Sequence, residues 1–166
     1  MFVHPRCIYL NHVYKKTAQS DYELIRNAIA IFPLAVDSKN YDLLSEGFAP
    51  NVVVEYPEPI GVTRGVKDLQ QALEHVLKGL ETHHALSTQS IKQTSQTSAD
   101  GTTYCMAVHF GTGKATGRQV TGWSHSQDTL EKGIFDNQEG WRITKRKVHF
   151  HVPHSADGSL LGIKEN

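Results

Sequence analysis

The chain has 166 residues, in which 17 Lys and Arg balance 17 Asp and Glu, so its formal net charge at pH 7 is zero. A chain of this size buries most of its unfolded surface around one hydrophobic core, and we therefore expect a single domain. The balanced charge gives no indication of a surface that binds nucleic acid or anionic lipid. The sequence has no run of about eighteen apolar residues, so no membrane span is predicted.

Residues 1–19 show no clear hydrophobic period and are predicted to form an irregular N-terminal lead-in. Ser20 and Glu23 then stand at the spacing of a capping box, which predicts that a helix begins there. Apolar residues recur along one face of this helix. Pro33 lies inside the pattern and lacks a backbone N–H, so we expect a kink or a break in residues 29–33.

Three shorter elements are predicted to complete the first half of the chain. A short helix is expected over residues 41–48, followed by a strand over 52–56, where β-branched and aromatic residues dominate. The segment 66–80 has apolar residues at helical spacing with polar residues between them, which predicts an amphipathic helix.

The second half is predicted to be a sheet, because Thr, Val, His and aromatic residues dominate and turn signals divide it. Helices followed by antiparallel strands indicate an α+β fold. We expect one domain over residues 20–152 and a C-terminal tail over 153–166. The predicted strands are 82–94, 102–112, 118–132 and 141–152.

The cysteines and the N-terminal segment bear on the cellular compartment. Cys7 and Cys105 are too few for a disulfide framework and are not spaced as a zinc site. The first residues lack the apolar stretch and small-residue cleavage site of a secretory signal. We therefore expect a cytoplasmic protein.

Asp37 is an unusual residue for its position. It lies at the end of the first predicted helix, where a carboxylate faces the negative end of the helix dipole, and it shares a stripe with Ala30 and Leu34. Two interpretations remain open. Asp37 either forms a cap or a surface salt bridge, or it is a buried carboxylate that holds a histidine in position.

Histidines form the second candidate group, because the chain has ten of them and imidazole exchanges protons near neutral pH. His83 and His84 begin a predicted strand, so one of them faces inward and the other outward. His109 follows the small residues Cys105 and Ala107 on one strand face, which is typical of a pocket wall. Each of these histidines can also be structural.

Other kinds of chemistry find less support. His149 and His151 lie two residues apart without a nearby carboxylate or thiolate, a poor match to a metal site, and we expect no metal. The sequence contains neither a nucleophile elbow nor a phosphate-binding glycine motif. Taken by themselves, Tyr56 can be a core residue and Asp128 can be a surface residue. Proton transfer between histidine and carboxylate is the remaining chemistry.

Several of these residues fall in segments that resemble scytalone dehydratase. The wider group is the SnoaL-like, nuclear transport factor 2-like superfamily. The first similar segment runs from Ser20 to Tyr56 and includes Asp37-Ser38-Lys39-Asn40-Tyr41-Asp42. Thr82-His83-His84 is similar to that family's Thr-Gln-His, and Val108-His109 is similar to its Pro-His. His125-Ser126-Gln127-Asp128 is similar to its His-Ser-Ala-Asn.

The resemblance implies a cone-shaped barrel, in which a curved antiparallel sheet and about three helices enclose one deep pocket. It also implies that Asp37 orients His84, that His84 acts as general base and acid, and that no cofactor takes part. His109 is expected to assist. The implied substrate contacts are Tyr56, Asp128 and Ser126.

Two positions differ from that family, because Val36 and Asp128 stand where it has a tyrosine and an asparagine. The expected substrate is therefore a related cyclic hydroxy-carbonyl compound, such as an intermediate of fungal polyketide metabolism, rather than scytalone. The expected activity is the removal of water. Its alternatives are an isomerase or cyclase that uses the same pocket, and a non-catalytic binding or interaction module.

The relation between Asp37 and His84 separates these alternatives. The enzyme hypotheses predict that the two side chains touch, whereas the interaction module predicts that they lie apart. Self-association as a dimer or trimer is also expected, because the strand that contains Tyr104 and Phe110 has apolar side chains on both faces and one face needs cover.

Overall fold

The computed structural model describes residues 19–58, 60–151, 155–156 and 158–161. The predicted lead-in, apart from residue 19, and most of the predicted tail lie outside these residues. The α+β fold is confirmed. In chain order the elements are α1 (Asp21–Asp37), a 3₁₀ helix (Tyr41–Glu46), β1 (Phe48–Glu55), β2 (Val62–Arg64), α2 (Val66–Val76), β3 (Leu80–Gln93), β4 (Ser98–Gly111), a 3₁₀ turn (Gly113–Ala115), β5 (Gln119–Phe135), β6 (Gln138–Phe150), β7 (Ser155–Ala156) and a last 3₁₀ turn (Gly158–Leu161).

Helix α1 begins as the sequence predicts. Ser20 Oγ accepts a hydrogen bond from the backbone N–H of Glu23 at 3.3 Å, and the backbone N–H of Ser20 donates to Glu23 Oε2 at 2.8 Å. Of the predicted kink or break near Pro33, the break is wrong, because the helix runs without interruption over 17 residues. Burial of Ile29 and Ala35 on either side of the proline offsets the single hydrogen bond that proline removes, which costs about 3 kcal/mol.

The sheet is mostly antiparallel, with strand order β2-β1-β6-β5-β4-β3. Strands β3, β4, β5 and β6 pair antiparallel with one another in chain order, and β7 adds two residues to β5. Strand β1 instead runs parallel to β6, so the sheet is mixed rather than wholly antiparallel. The four long predicted strands are observed with their ends shifted by a few residues.

The hydrophobic core lies between α1 and one face of the sheet, since α1 packs on β3 and β6. Its largest fully buried side chains include Trp141, Phe48 and Ile25. Within the described part of the chain, no helix combines the length and apolar character that crossing a bilayer requires. The helix layer and the curved sheet thus bring the end of α1 to the start of β3.

Candidate active site

Asp37 and His84 meet where α1 ends beside β3. Asp37 is the last residue of α1, and His84 lies near the start of β3. Because side chains alternate along a strand, His84 faces the helix layer while His83 is exposed. The helix dipole disfavours a carboxylate at the end of α1. The placement of Asp37 there is explained by its partner His84 on the adjacent strand.

Three hydrogen bonds hold the Asp37 carboxylate. Oδ1 lies 2.6 Å from Nδ1 of the His84 ring and accepts a second bond from Thr82 Oγ1 at 2.9 Å. Oδ2 accepts the backbone N–H of His84 at 2.8 Å. A carboxylate accepts rather than donates, so the His84 proton resides on Nδ1 and leaves Nε2 as the basic nitrogen.

These contacts decide the charge of Asp37. Burial alone raises the pKa of the carboxyl group, but the hydrogen bonds from the His84 ring and backbone, the attraction of His84 and the bond from Thr82 outweigh it. The net effect lowers the pKa of Asp37 below its ordinary value. Asp37 is therefore an anion at neutral pH and stabilises an imidazolium that forms beside it.

A cavity of about 120 Å³ lies beside His84. Engineered cavities of about 150 Å³ accept a benzene ring, so this space matches a compact ring compound. Its wall is mostly apolar, with side chains from both helices and the inner sheet face. The polar or titratable residues of the wall are Tyr56, His84, Thr103, Cys105, His109, Ser124, Ser126 and Arg146.

His109 lies next to His84 on the wall of this cavity. The two rings meet edge to face with centroids 5.6 Å apart, and Phe32 contacts the His84 ring at the same centroid distance. His109 is buried and comes from β4, two strand positions from Ala107 on the same face. The histidine pair thus forms one polar part of a mostly apolar wall.

Tyr56 lies on the cavity wall just after β1. Its hydroxyl group is buried and has no hydrogen-bond partner among the described residues. Burial raises the pKa of Tyr56 to about 12, with Arg146 opposing and Asp128 and Cys105 reinforcing the shift. Tyr56 therefore keeps its proton at neutral pH and can donate a hydrogen bond to a molecule in the cavity.

Cys105 is the cavity's thiol. Burial raises its pKa to about 11, with the cation of Arg146 opposing the shift and Asp37 reinforcing it. At neutral pH the group is a neutral thiol, which is a poor nucleophile. This agrees with the absence of a nucleophilic motif from the sequence.

Asp128 takes a different position from the substrate contact that the resemblance implies. Its two oxygens accept Arg146 Nε at 2.6 Å and Arg146 Nη2 at 2.8 Å, and it is not part of the cavity wall. Ser126 does line the cavity, and its hydroxyl donates to Asp128 Oδ2 at 3.3 Å. Asp128 therefore holds Arg146, and Arg146 is the residue of this pair that reaches the cavity.

Arg146 is the site residue that sequence reasoning missed. It is buried, and its guanidinium lies over the rings of Phe32 and Phe48, with Cζ 5.2 Å and 5.0 Å from their centroids. Burial lowers the pKa of Arg146, but the charge and the hydrogen bonds of Asp128 raise it and outweigh burial, so the buried guanidinium stays a cation. Arg146 and Tyr56 thus provide donors away from the Asp37–His84 pair.

Comparison with known proteins assigns this architecture to a family. The sequence model of the SnoaL-like domain matches residues 17–147. The chain belongs to the SnoaL-like family. No match was found among curated proteins.

Solved structures share the SnoaL-like architecture at low sequence identity. A putative scytalone dehydratase from Novosphingobium aromaticivorans has 20% identity and a TM-score of 0.69, with 82% of this chain and 87% of that chain covered. A hexachlorocyclohexane dehydrochlorinase, LinA type 2, has 14% identity and a TM-score of 0.69, covering 87% and 92%. A ketosteroid isomerase-like protein from Erwinia carotovora atroseptica has 15% identity and a TM-score of 0.69, covering 82% and 100%. These likenesses show the fold.

This SnoaL-like chain carries a second histidine cluster on the outer face of the sheet. His125 Nδ1 lies 2.6 Å from His151 Nε2, and the rings of His125 and His149 stack with centroids 4.8 Å apart. Tyr104 stacks on His125 from the neighbouring strand. Across the described ranges, no group of three or more His, Cys, Asp or Glu side chains is arranged to hold a metal ion.

Proposed function

We propose that this SnoaL-like protein is a cofactor-independent dehydratase that removes water from a compact cyclic hydroxy-carbonyl compound. The 2.6 Å contact between Asp37 and His84, on the wall of an apolar cavity, carries the proposal. The chain's own residues supply the base, the acid and the hydrogen-bond donor that this elimination needs. An intermediate of fungal polyketide metabolism is the proposed kind of substrate.

His84 is the proposed base. Its Nε2 removes a proton from the carbon next to the substrate carbonyl, and the electron pair of that C–H bond forms an enolate. The Asp37 anion stabilises the resulting imidazolium and fixes the ring orientation through Nδ1. The backbone bond from His84 to Asp37 keeps the carboxylate from turning away.

Tyr56 is the proposed donor to the substrate oxygen, where negative charge develops. Its buried hydroxyl has no partner in the described part of the protein, so a carbonyl placed there satisfies it. Arg146 adds a positive charge nearby that Asp128 holds in place. Donors fixed in position before the reaction stabilise an enolate without reorganisation.

Departure of the hydroxyl group completes the reaction. The enolate re-forms the carbonyl, a carbon–carbon double bond forms, and the β-carbon–oxygen bond breaks. The proton that His84 took up leaves with the hydroxyl as water, so His84 returns to its starting state. His109, 5.6 Å from His84 between ring centroids, is proposed to orient the leaving oxygen.

The same base supports one alternative reaction. If the enolate takes the proton back at another carbon, or attacks a second carbonyl, the result is isomerisation or cyclisation. The interaction-module hypothesis requires Asp37 and His84 to lie apart, and their direct hydrogen bond argues for the enzyme instead.

Two further proposals concern the protein in its cell. We propose a cytoplasmic location, and self-association through the outer sheet face. Tyr104, Met106 and Trp123 are exposed there beside the outer histidine cluster. Burial lowers the pKa of His125, with His149 and His151 reinforcing the shift, and a second copy of this face would cover the exposed apolar side chains beside it.

The activity is tested with two cyclic β-hydroxyketones, 3-hydroxycyclohexanone and 3-hydroxy-1-tetralone, with mass spectrometry to follow the loss of one water. The protein is expected to accelerate the loss. The variant His84→Gln should be at least about a hundredfold slower, since general base catalysis contributes roughly 10²–10⁴.

His83→Gln is the matched control, because it removes the neighbouring exposed imidazole and should leave turnover unchanged. Equal turnover of folded His84→Gln and wild-type protein would remove the proposed base. A product of unchanged mass would favour the isomerase instead.

A further inference from the structure

Lys39 lies behind the Asp37–His84 pair, on the side away from the cavity. Its ammonium Nζ donates to Thr82 Oγ1 at 3.2 Å, and Thr82 Oγ1 lies 2.9 Å from Asp37 Oδ1. Lys39 also lines an outer groove with Tyr41, Glu81 and other residues. It thus connects the solvent side of the protein to the carboxylate of the pair.

The direction of these hydrogen bonds is fixed by chemistry. An ammonium group has only donors, so Thr82 must accept from Lys39 and direct its own proton elsewhere. The threonine hydroxyl has one proton, and its shorter contact is to Asp37 at 2.9 Å rather than to the Val36 carbonyl at 3.4 Å. The chain of bonds therefore runs from Lys39 through Thr82 to Asp37.

The backbone of Lys39 supports a role beyond solvation. Its φ of 58° lies in the left-handed region, where residues after helix ends are usually Gly or Asn. Such a conformation is unfavourable for a side chain with a Cβ atom. Here Lys39 comes directly after Ser38, the C-cap residue of α1, and its conformation accompanies the placement of the ammonium group at Thr82.

We propose that Lys39 is a positioning residue that acts through Thr82 to hold Asp37 as an anion oriented toward His84. This inference deepens the proposed function, on which its catalytic meaning rests. Without the Lys39 cation the Asp37 anion is less stabilised, and a proton on the pair is favoured. The pair then takes up its proton at higher pH, so less of His84 is available as a base near neutral pH.

Other charged and titratable groups face the pair or Lys39 and remain constant in the experiment. They are Glu81 on β3, beside Lys39; His109 and Cys105 on β4; Tyr56 after β1; and Arg146 on β6.

The test is an NMR titration of the His84 ring nitrogens, assigned by the signals that vanish in His84→Gln. Lys39→Met should raise the titration midpoint by roughly half a pH unit. Coulomb's law gives an effect of this size for one charge two hydrogen bonds away from Asp37 in a partly solvated site. Lys39→Arg keeps the charge and should restore the midpoint. Lys78→Met removes a charge from the same outer groove and should shift it less.

Thr82→Val tests the relay itself. It should also raise the midpoint, and the Lys39→Met/Thr82→Val double variant should move it no further than the larger single shift. Equal shifts in Lys39→Met and Lys78→Met, or fully additive shifts in the double variant, would overturn the proposal. The readout needs no substrate, so a midpoint shift without any dehydration would refute the proposed function and leave the role of Lys39 intact.

Discussion

Asp37 and Asp128 each hold a nitrogen-containing side chain, and the two carboxylates differ in how deeply they are buried. The Asp37 side chain is 25% exposed and pairs with His84, whereas the Asp128 side chain is fully buried and pairs with Arg146. Imidazole gains and loses a proton near neutral pH, but guanidinium stays charged. One pair can therefore exchange protons, while the other fixes a permanent charge in the wall of the same cavity.

The largest expected effect is the loss of folding stability when the Asp128–Arg146 pair is broken. Asp128→Ala leaves the Arg146 guanidinium buried without its partner, and breaking such a pair costs about 3–5 kcal/mol. Urea unfolding monitored by circular dichroism measures the free energy of unfolding. Asp37→Ala is the matched change at the other carboxylate and should lower that free energy by less, because Asp37 is partly exposed. Equal losses in the two variants would remove the distinction.

Much of the first pair could be predicted from the sequence. The capping box fixed the start of α1, and the position of Asp37 at the end of the helix marked it as unusual. Strand alternation indicated that only one of His83 and His84 faces inward, and the family resemblance selected His84. Side-chain periodicity sufficed because this part of β3 pairs regularly with β4.

The second pair could not be predicted in this way. Trp141 and Ile143 are buried, so simple alternation places Lys145 inside and Arg146 outside. The register of β6 against β5 shifts at this point, since Leu130 pairs with Ile143 but Thr129 pairs with Lys145. This bulge reverses the faces, and Arg146 points inward while Lys145 is 56% exposed.

Tyr56 is expected to combine a loss of activity with a gain in stability. Tyr56→Phe removes the proposed donor to the substrate oxygen, and loss of such a donor lowers turnover by about 10²–10³. The same change removes a buried hydroxyl without a partner in the described structure, which should raise the unfolding free energy by about 1 kcal/mol. Turnover and urea unfolding are measured on one preparation. A less stable Tyr56→Phe protein would show that the hydroxyl is already bonded in the empty protein.

The smallest expected effect is on the pH dependence of stability. The pKa of Asp37 is lowered in the folded protein, so its stabilisation is fully present above the pKa of the unfolded chain, about 4. It is lost as pH falls from there through the folded-state pKa. Wild-type protein should therefore lose more stability between about pH 5 and pH 3 than Asp37→Asn, in urea unfolding at each pH. Parallel losses would mean that the carboxylate gains nothing from its three hydrogen bonds.

In the proposed mechanism His84, held by Asp37, removes a proton from carbon inside the cavity. The most direct measurement is the exchange of α-hydrogens of cyclohexanone for deuterium in D₂O, followed by NMR, because this ketone has no hydroxyl group to lose. Wild-type and His83→Gln proteins should accelerate the exchange, and His84→Gln should not. Exchange as fast in folded His84→Gln as in the wild type would contradict the account.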